Sequence, residues 1–232
     1  LEAAGLLDGE ALVTVTYTRN EVETATLDDV HTQGYFGVKI PSELSKIGEG
    51  AFSNSDELVW ITIPESVTHI GNYAFAGCSS LERITMSESV THIGDCAFAW
   101  CRSLPEIRMG ESMIRIGDAA FEACQSLKSI TMGENVTHIG EEAFLACIRL
   151  TSIAMGESVI QVGSRAFRDC SALKDVTMGK SVTRIENSCF DGCKSLDNMV
   201  IGESVTHIGD GAFSWCSSFT SITMGESVTH IG

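Results

Sequence analysis

The chain has 232 residues, enough for one or two ordinary domains, and 44% of them are hydrophobic, enough for a buried core. A formal net charge of −16 excludes nucleic acid as a partner, because binding needs clustered Lys and Arg to release phosphate counterions, and it disfavours anionic membrane surfaces as well. No apolar run approaches the roughly 20 residues that span a membrane, and no basic-then-apolar leader is visible from Leu1.

Residues 1–37 come first and stand apart from the rest. Val13, Val15 and Tyr17 alternate with Thr14, Thr16 and Thr18, which predicts a half-buried strand over Leu12 to Thr18. Arg19-Asn20-Glu21 then turns the chain into Val22–Leu27. The expectation is a β-hairpin-like cap over 1–37, covering an apolar end face that stacked repeats cannot cover themselves. Val38-Lys39-Ile40-Pro41 already resembles Ile61-Thr62-Ile63-Pro64, so the repeat region begins at 38.

From Leu44 to the last residue a 23-residue period runs without insertion or deletion. It gives eight full repeats over 44–227 and a partial one over 228–232. Four apolar columns carry it. The first runs Leu44, Val67, Val90, Met113, Val136, Val159, Val182, Val205, Val228; the second starts at Ile47 and recurs as Ile or Val. A Phe column runs from Phe52 to Phe213, and a Leu column from Leu58 to Leu196 ends in Phe219. In Ile84-Thr85-Met86 the alternation puts Ile and Met inward and Thr outward, as a strand requires. Each buried side chain of this size is worth about 1.5–3 kcal/mol, most of it offset by ordering entropy, so one repeat cannot stand alone. Stacked repeats share a core.

Each repeat is expected to pass from a Leu-x-x-Ile-x-Met strand through a Gly-Glu-Ser turn into a short extended Val-x-x-Ile segment. A tight turn at Gly follows, where a positive φ suits glycine. Ala-Phe-x-x-Cys fits one short helical turn. The predicted fold is a repeat solenoid, mainly β, bent into a right-handed arc with stacked parallel strands.

The run Leu-x-x-Ile-x-Met-Gly-Glu-Ser-Val-Thr-x-Ile-Gly-x-x-Ala-Phe-x-x-Cys resembles the BspA-like, or Treponema-type, leucine-rich repeat family over about 38–232. Ala-Phe-x-x-Cys after Val-x-x-Ile-Gly is the specific part; ordinary leucine-rich repeats lack it. Ser55 for Cys, Glu186 for Gly, Cys189 for Ala, Phe219 for Leu and Met199 for Ile depart from the chain's own consensus and leave the fold expectation intact. The resemblance implies bacterial or protist surface proteins that act as adhesins or host-protein binders, and it implies no catalysis. The expected function is therefore non-enzymatic protein recognition at the cell surface or outside the cell. An intracellular or structural scaffold built from the same repeats is the alternative.

Seven of the nine cysteines share one column: Cys78, Cys101, Cys124, Cys147, Cys170, Cys193 and Cys216. Neighbours lie one inter-strand step apart, about 5 Å. That distance permits a disulfide, but parallel Cβ vectors oppose one. A reduced, buried thiol ladder is expected, with a disulfide or a metal as the alternatives. His69, His92, His138, His207 and His230 share another column interrupted by Arg115, Gln161 and Arg184. Two imidazoles on adjacent rungs could hold a metal, but no third ligand is fixed nearby, so no metal and no cofactor is expected. Glu65, Glu88, Glu111, Glu134, Glu157, Glu203 and Glu226, broken by Lys180, read as screened surface charge or as a weak cation site. No Ser is singled out beside His and Asp, and no phosphate loop is present, so no enzyme is expected.

The variable outward strand positions carry the expected binding surface. One column reads Trp60, Arg83, Glu106, Ser129, Ser152, Asp175, Asn198, Ser221; the other is Thr-rich and includes Arg108. Trp60, Arg83, Glu106 and Arg108 are residue types that interface hot spots use, and they place a protein partner of unknown identity on the N-terminal half. Trp100 and Trp215 sit just before Cys near a bend. Asn135-Val136-Thr137 is a glycosylation sequon, although Asn135 only replaces the Ser of neighbouring repeats. The chain stops at Ile231-Gly232 in mid-repeat without a cap, so further repeats, or self-association through that end, are expected.

Overall fold

In a computed structural model, the described residues are 11–13 and 36–232. The hairpin expected over 12–27 lies largely outside them. Of that segment Ala11–Val13 forms a strand, and it runs parallel to Phe36–Lys39.

Every later repeat contributes a long-side strand and a two-residue strand on a second side. The long side runs Leu58–Thr62, Arg83–Thr85, Glu106–Arg108, Ser129–Thr131, Ser152–Ala154, Asp175–Thr177, Asn198–Val200 and Ser221–Thr223. All pairings are parallel, and the register equals the repeat: Ser129 faces Glu106, Ile130 faces Ile107 and Thr131 faces Arg108. Val38 likewise faces Ile61, which places 38–41 in the repeat. The second side stacks Lys46–Ile47, His69–Ile70, His92–Ile93, Arg115–Ile116, His138–Ile139 and Gln161–Val162 into one six-stranded sheet. A separate three-stranded sheet holds Arg184–Ile185, His207–Ile208 and His230–Ile231.

The core lies between these sides, where the sequence columns place it. Val90, Phe98, Cys101 and Leu104 are fully buried, Ile93 nearly so, and the same positions recur up and down the chain. Phe rings stack from rung to rung with centroids 5.0 Å apart between Phe75 and Phe98 and 5.6 Å apart between Phe190 and Phe213. Planes are almost parallel, 3° apart for Phe121 and Phe144, and the spacing means offset rather than eclipsed faces.

The third side corrects one expectation. Ala-Phe-x-x-Cys does not form a helical turn; the described residues contain no helix. Alternate amides go two ways instead. Those of Cys96, Phe98 and Trp100 donate to Asp118, Ala120 and Glu122 on the next rung at 2.7–2.8 Å. Those of Ala97, Ala99 and Cys101 close three-residue turns onto Gly94, Cys96 and Phe98 at 3.1–3.3 Å. A helix would keep these bonds within the rung and leave rungs joined by side chains alone. The alternation requires two left-handed residues per rung, such as Cys96 at φ 53° and Trp100 at φ 69°. Ala, Cys and Trp have no preference for that region, so nothing local in the sequence announced it.

Candidate recognition surface

Arg83, Glu106 and Arg108 are all exposed on the long-strand face. Arg83 and Glu106 line a shallow groove of about 470 Å³, together with Glu82, Pro105, Lys128 and Ser129. Arg108 stands two residues beyond Glu106 on the same strand and the same face. The groove thus carries both charge signs on a rigid β floor, with Thr85 at its edge. Sequence reasoning missed the contributions of Glu82, Pro105 and Lys128, which lie just before the strands rather than in the outward columns.

Trp60 behaves differently from the other three. Its indole lies over Gly37 on the neighbouring strand, and any side chain at 37 would collide with the ring. The residue is half-buried, and Nε1 is buried with no hydrogen-bond partner among the described residues. Trp60 therefore seals the sheet toward its first strands.

The cysteine column is explained by one hydrogen bond repeated in each rung. Cys101 Sγ donates to Phe75 O at 3.2 Å and Cys124 Sγ to Phe98 O at 3.1 Å, and the pattern continues to Cys216 Sγ on Phe190 O at 3.1 Å. Each Phe carbonyl already accepts the amide three residues on in its own rung, as Phe98 O does from Cys101 N and Phe52 O from Ser55 N. The thiol of the next rung fills its second lone pair. All nine cysteines are free thiols. Burial pushes Cys78 and Cys147 up to about 12, with the backbone contact working the other way. Such thiols are poor nucleophiles, because the thiolate is the reactive form. With a disulfide reagent, native protein is expected to react only at the partly exposed Cys96 and Cys216, whereas denatured, unreduced protein should titrate close to nine thiols. A large missing fraction after denaturation contradicts the ladder.

The polar columns prove to be structural. Glu88 Oε2 accepts the Glu111 amide at 2.8 Å, and Glu111 Oε2 accepts the Glu134 amide at 3.0 Å. Asp95 Oδ1 accepts the Asp118 amide at 2.9 Å, and Asp118 Oδ1 accepts that of Glu141 at 2.9 Å. At these bends the backbone turns away from its sheet, and a side-chain oxygen from the previous rung satisfies the exposed amide, a carboxylate here and the Asn72 and Asn187 amide oxygens for Asp95 and Asp210. Lys180 fits the same scheme: its amide bonds Glu157 Oε2 at 3.2 Å and its ammonium pairs with Glu157 Oε1 at 3.4 Å. Asn135 Nδ2 donates to Glu111 O at 2.8 Å, so the sequon nitrogen has a structural partner.

The histidines stack in two pairs, His69 on His92 at 4.7 Å and His207 on His230 at 4.4 Å. Each Nδ1 lies beside the preceding Thr hydroxyl, at 2.8 Å for His92 and Thr91. That hydroxyl also donates to the carbonyl one rung back, Thr91 Oγ1 to Thr68 O at 2.9 Å. One proton cannot serve both, so Nδ1 carries the ring proton and donates to Thr. Burial, then His69 and Arg115, lower the pKa of His92. Among the described residues, no cluster of three or more His, Cys, Asp or Glu could hold a metal ion.

The BspA type leucine rich repeat region matches residues 35–151 and 137–232. The chain belongs to this family. Solved structures agree with that assignment. A leucine rich repeat protein of T. pallidum is 26% identical at a TM-score of 0.62, covering 89% of this chain and 87% of that one. One from Eubacterium ventriosum is 25% identical at a TM-score of 0.68, over 79% of this chain and 59% of its own. One from Bacteroides ovatus, 21% identical at 0.61 over 99% and 79%, shares the fold. A comparison with curated proteins gave no match. For this BspA-type chain, family and fold are those of leucine-rich repeat proteins, which is consistent with protein–protein interaction. Among the described residues, no helix is long and apolar enough to cross a membrane.

Proposed function

We propose that this BspA-type chain is a non-enzymatic recognition module that binds a protein partner with the N-terminal half of its long-strand face. The observation that carries the proposal is the groove of about 470 Å³ around Arg83 and Glu106, continued by exposed Arg108. The same columns further along offer Ser152, Asn198 and Thr-rich surface with far less charge. Repeat proteins place recognition on such stacked faces because the sheet holds the side chains rigid. The family resemblance favours a cell-surface or secreted adhesin-type protein. Residues 1–37 would cap the first rung, and Ala11–Val13 already covers the edge at Phe36–Lys39.

Substitution of Arg83, Glu106 and Arg108 together by Ala is expected to weaken binding of the natural partner at least tenfold, because a few central charged residues dominate such interfaces. Ala at Thr177, Asn198 and Thr223 should change it less than twofold. Partners captured with the wild-type chain serve both measurements, with circular dichroism verifying the fold of each variant. Equal losses from the two triple variants rule the assignment out. Trp60 is left out of the test because its ring also covers Gly37.

One observation favours the scaffold reading: nine cysteines without a disulfide suit a reducing compartment. Labelling intact source cells with a membrane-impermeant amine reagent separates the two. Surface labelling of this chain supports the adhesin-type reading, and labelling only after lysis supports the scaffold.

A further inference from the structure

A second concavity lies on the turn side, away from the long-strand face. Each rung holds two left-handed residues there, and eleven of the sixteen are Gly, Ala, Ser, Cys, Asn or Asp. The bulky ones are Tyr73 at φ 57°, Trp100 at φ 69°, Glu142, Arg165 and Trp215, and of these Tyr73 and Trp100 are the two aromatic residues on neighbouring rungs. The rung-to-rung ladder fixes that backbone, through Tyr73 N to Asp95 O at 2.8 Å and Trp100 N to Glu122 O at 2.7 Å, while the two rings it carries stay outside the core, each residue 48% exposed.

The two rings line one groove of about 400 Å³, held open by Ala76, Gly77 and Ala99. Its charge is one-sided. Among the described residues Glu122 lines it, and no Lys or Arg does. The adjacent Cys96, then burial, raise the pKa of the Tyr73 phenol, with Asp95 and Glu49 adding to them. Burial raises that of Cys96 against its Tyr73 hydrogen bond, with Glu122, Asp95 and Asp118 adding to it. Aromatic faces are themselves negative at the ring centre. Trp100 already shows this property, since the Arg102 guanidinium, which does not line the groove, lies 5.5 Å from its ring centroid.

We propose that this groove binds a Lys or Arg side chain of a basic partner segment, seated between Tyr73 and Trp100 and neutralised by Glu122. An anionic ligand meets repulsion there, and the chain's net charge of −16 steers cations toward the molecule. This site is separate from the face around Arg83 and does not depend on that assignment.

The test is calorimetric titration with an octapeptide of alternating Arg and Gly, alongside its citrulline counterpart, which keeps the planar shape but loses the charge and exchanges one NH2 donor for a carbonyl acceptor. Trp100→Gly and Tyr73→Gly suit the left-handed backbone, so both should stay folded. Each is expected to weaken the Arg peptide about fivefold, the scale of an exposed cation–π contact. Glu122→Gln should weaken it about twofold or more without touching either ring. Trp215→Gly, at the same repeat position but outside the groove, should leave binding unchanged. The citrulline peptide should bind at least fivefold more weakly than the Arg peptide. Equal binding of the two peptides overturns the proposal, as does an unchanged affinity in the Gly and Gln variants, which would mean diffuse attraction to an acidic surface. Trp100-dependent binding of a neutral oligosaccharide in preference to the peptide also overturns it.

Discussion

Phe121→Ala is expected to cost about 3–5 kcal/mol, the usual loss for a fully buried Phe, and to split unfolding into two steps. Phe121 is wholly buried and stacks on Phe98 at 5.3 Å and on Phe144 at 5.4 Å. Truncation removes both stacked pairs, each worth about 0.5–1.5 kcal/mol beyond area burial. The cavity cannot close easily, because neighbouring rungs are held at fixed spacing by ladders of backbone bonds on three sides. Stability in a stacked array is a sum of rung and nearest-neighbour contributions, so a weak middle rung uncouples the arms on either side. Phe213→Ala is the control, since that residue is only partly buried and the last of the column. Thermal unfolding followed by circular dichroism should show a smaller shift for Phe213→Ala and one transition. A Phe121→Ala variant that loses no more than Phe213→Ala contradicts the stacking account.

The apolar columns were legible because burial is dictated by side-chain type and period alone. Strand register was legible too, since equal repeat length leaves parallel strands only one way to stack. What escaped the sequence reading depends on bonds between rungs. The Glu column looked like screened charge, yet Glu88 and Glu111 hold amides 23 residues on. A signal was present in the short acceptor that follows Gly in Asn72, Asp95 and Asp118, which marks a bend needing an acceptor. The cysteines read as small apolar residues, but the Phe carbonyl they serve lies 26 residues earlier. No pairwise pattern along the chain exposes that geometry. The helical turn failed for a related reason: Ala-Phe-x-x-Cys suits a helix locally, and the next rung's carbonyls outcompete it. Among the candidate site residues, Arg83 and Glu106 meet in one groove, while Trp60 packs toward the N-terminal strands. Tyr73 and Trp100 were invisible as a pair because they occupy different repeat positions on successive rungs and meet only on the diagonal.

Gly117→Ala is the second change expected to be severe, although it adds one methyl group. A Cβ at 117 would lie 2.5 Å from the Gly94 carbonyl carbon and 2.6 Å from the Asp95 amide nitrogen. Both are backbone atoms and cannot rotate away. The rungs must separate, which strains the Gly117 amide bond to Ile93 O, now 2.8 Å, and the sheet pairs around it. Overpacking of this kind costs about 1–3 kcal/mol, and loss of a buried backbone bond adds about 1 kcal/mol. Glu186 occupies this column in the chain itself. There the short-strand sheet stops at Gln161–Val162 and resumes as a separate sheet at Arg184–Ile185. Gly202→Ala supplies the opposite control, with only Gly179 O near its Cβ, at 3.9 Å, and no left-handed backbone to strain. Thermal unfolding should therefore show a large loss for Gly117→Ala and almost none for Gly202→Ala. Glu186→Gly should let the two short-strand sheets join, and amide hydrogen exchange across Arg184–Ile185 should slow accordingly. If Gly117→Ala is as mild as Gly202→Ala, rung spacing is not set by glycine contact, and the interruption at Glu186 needs another cause.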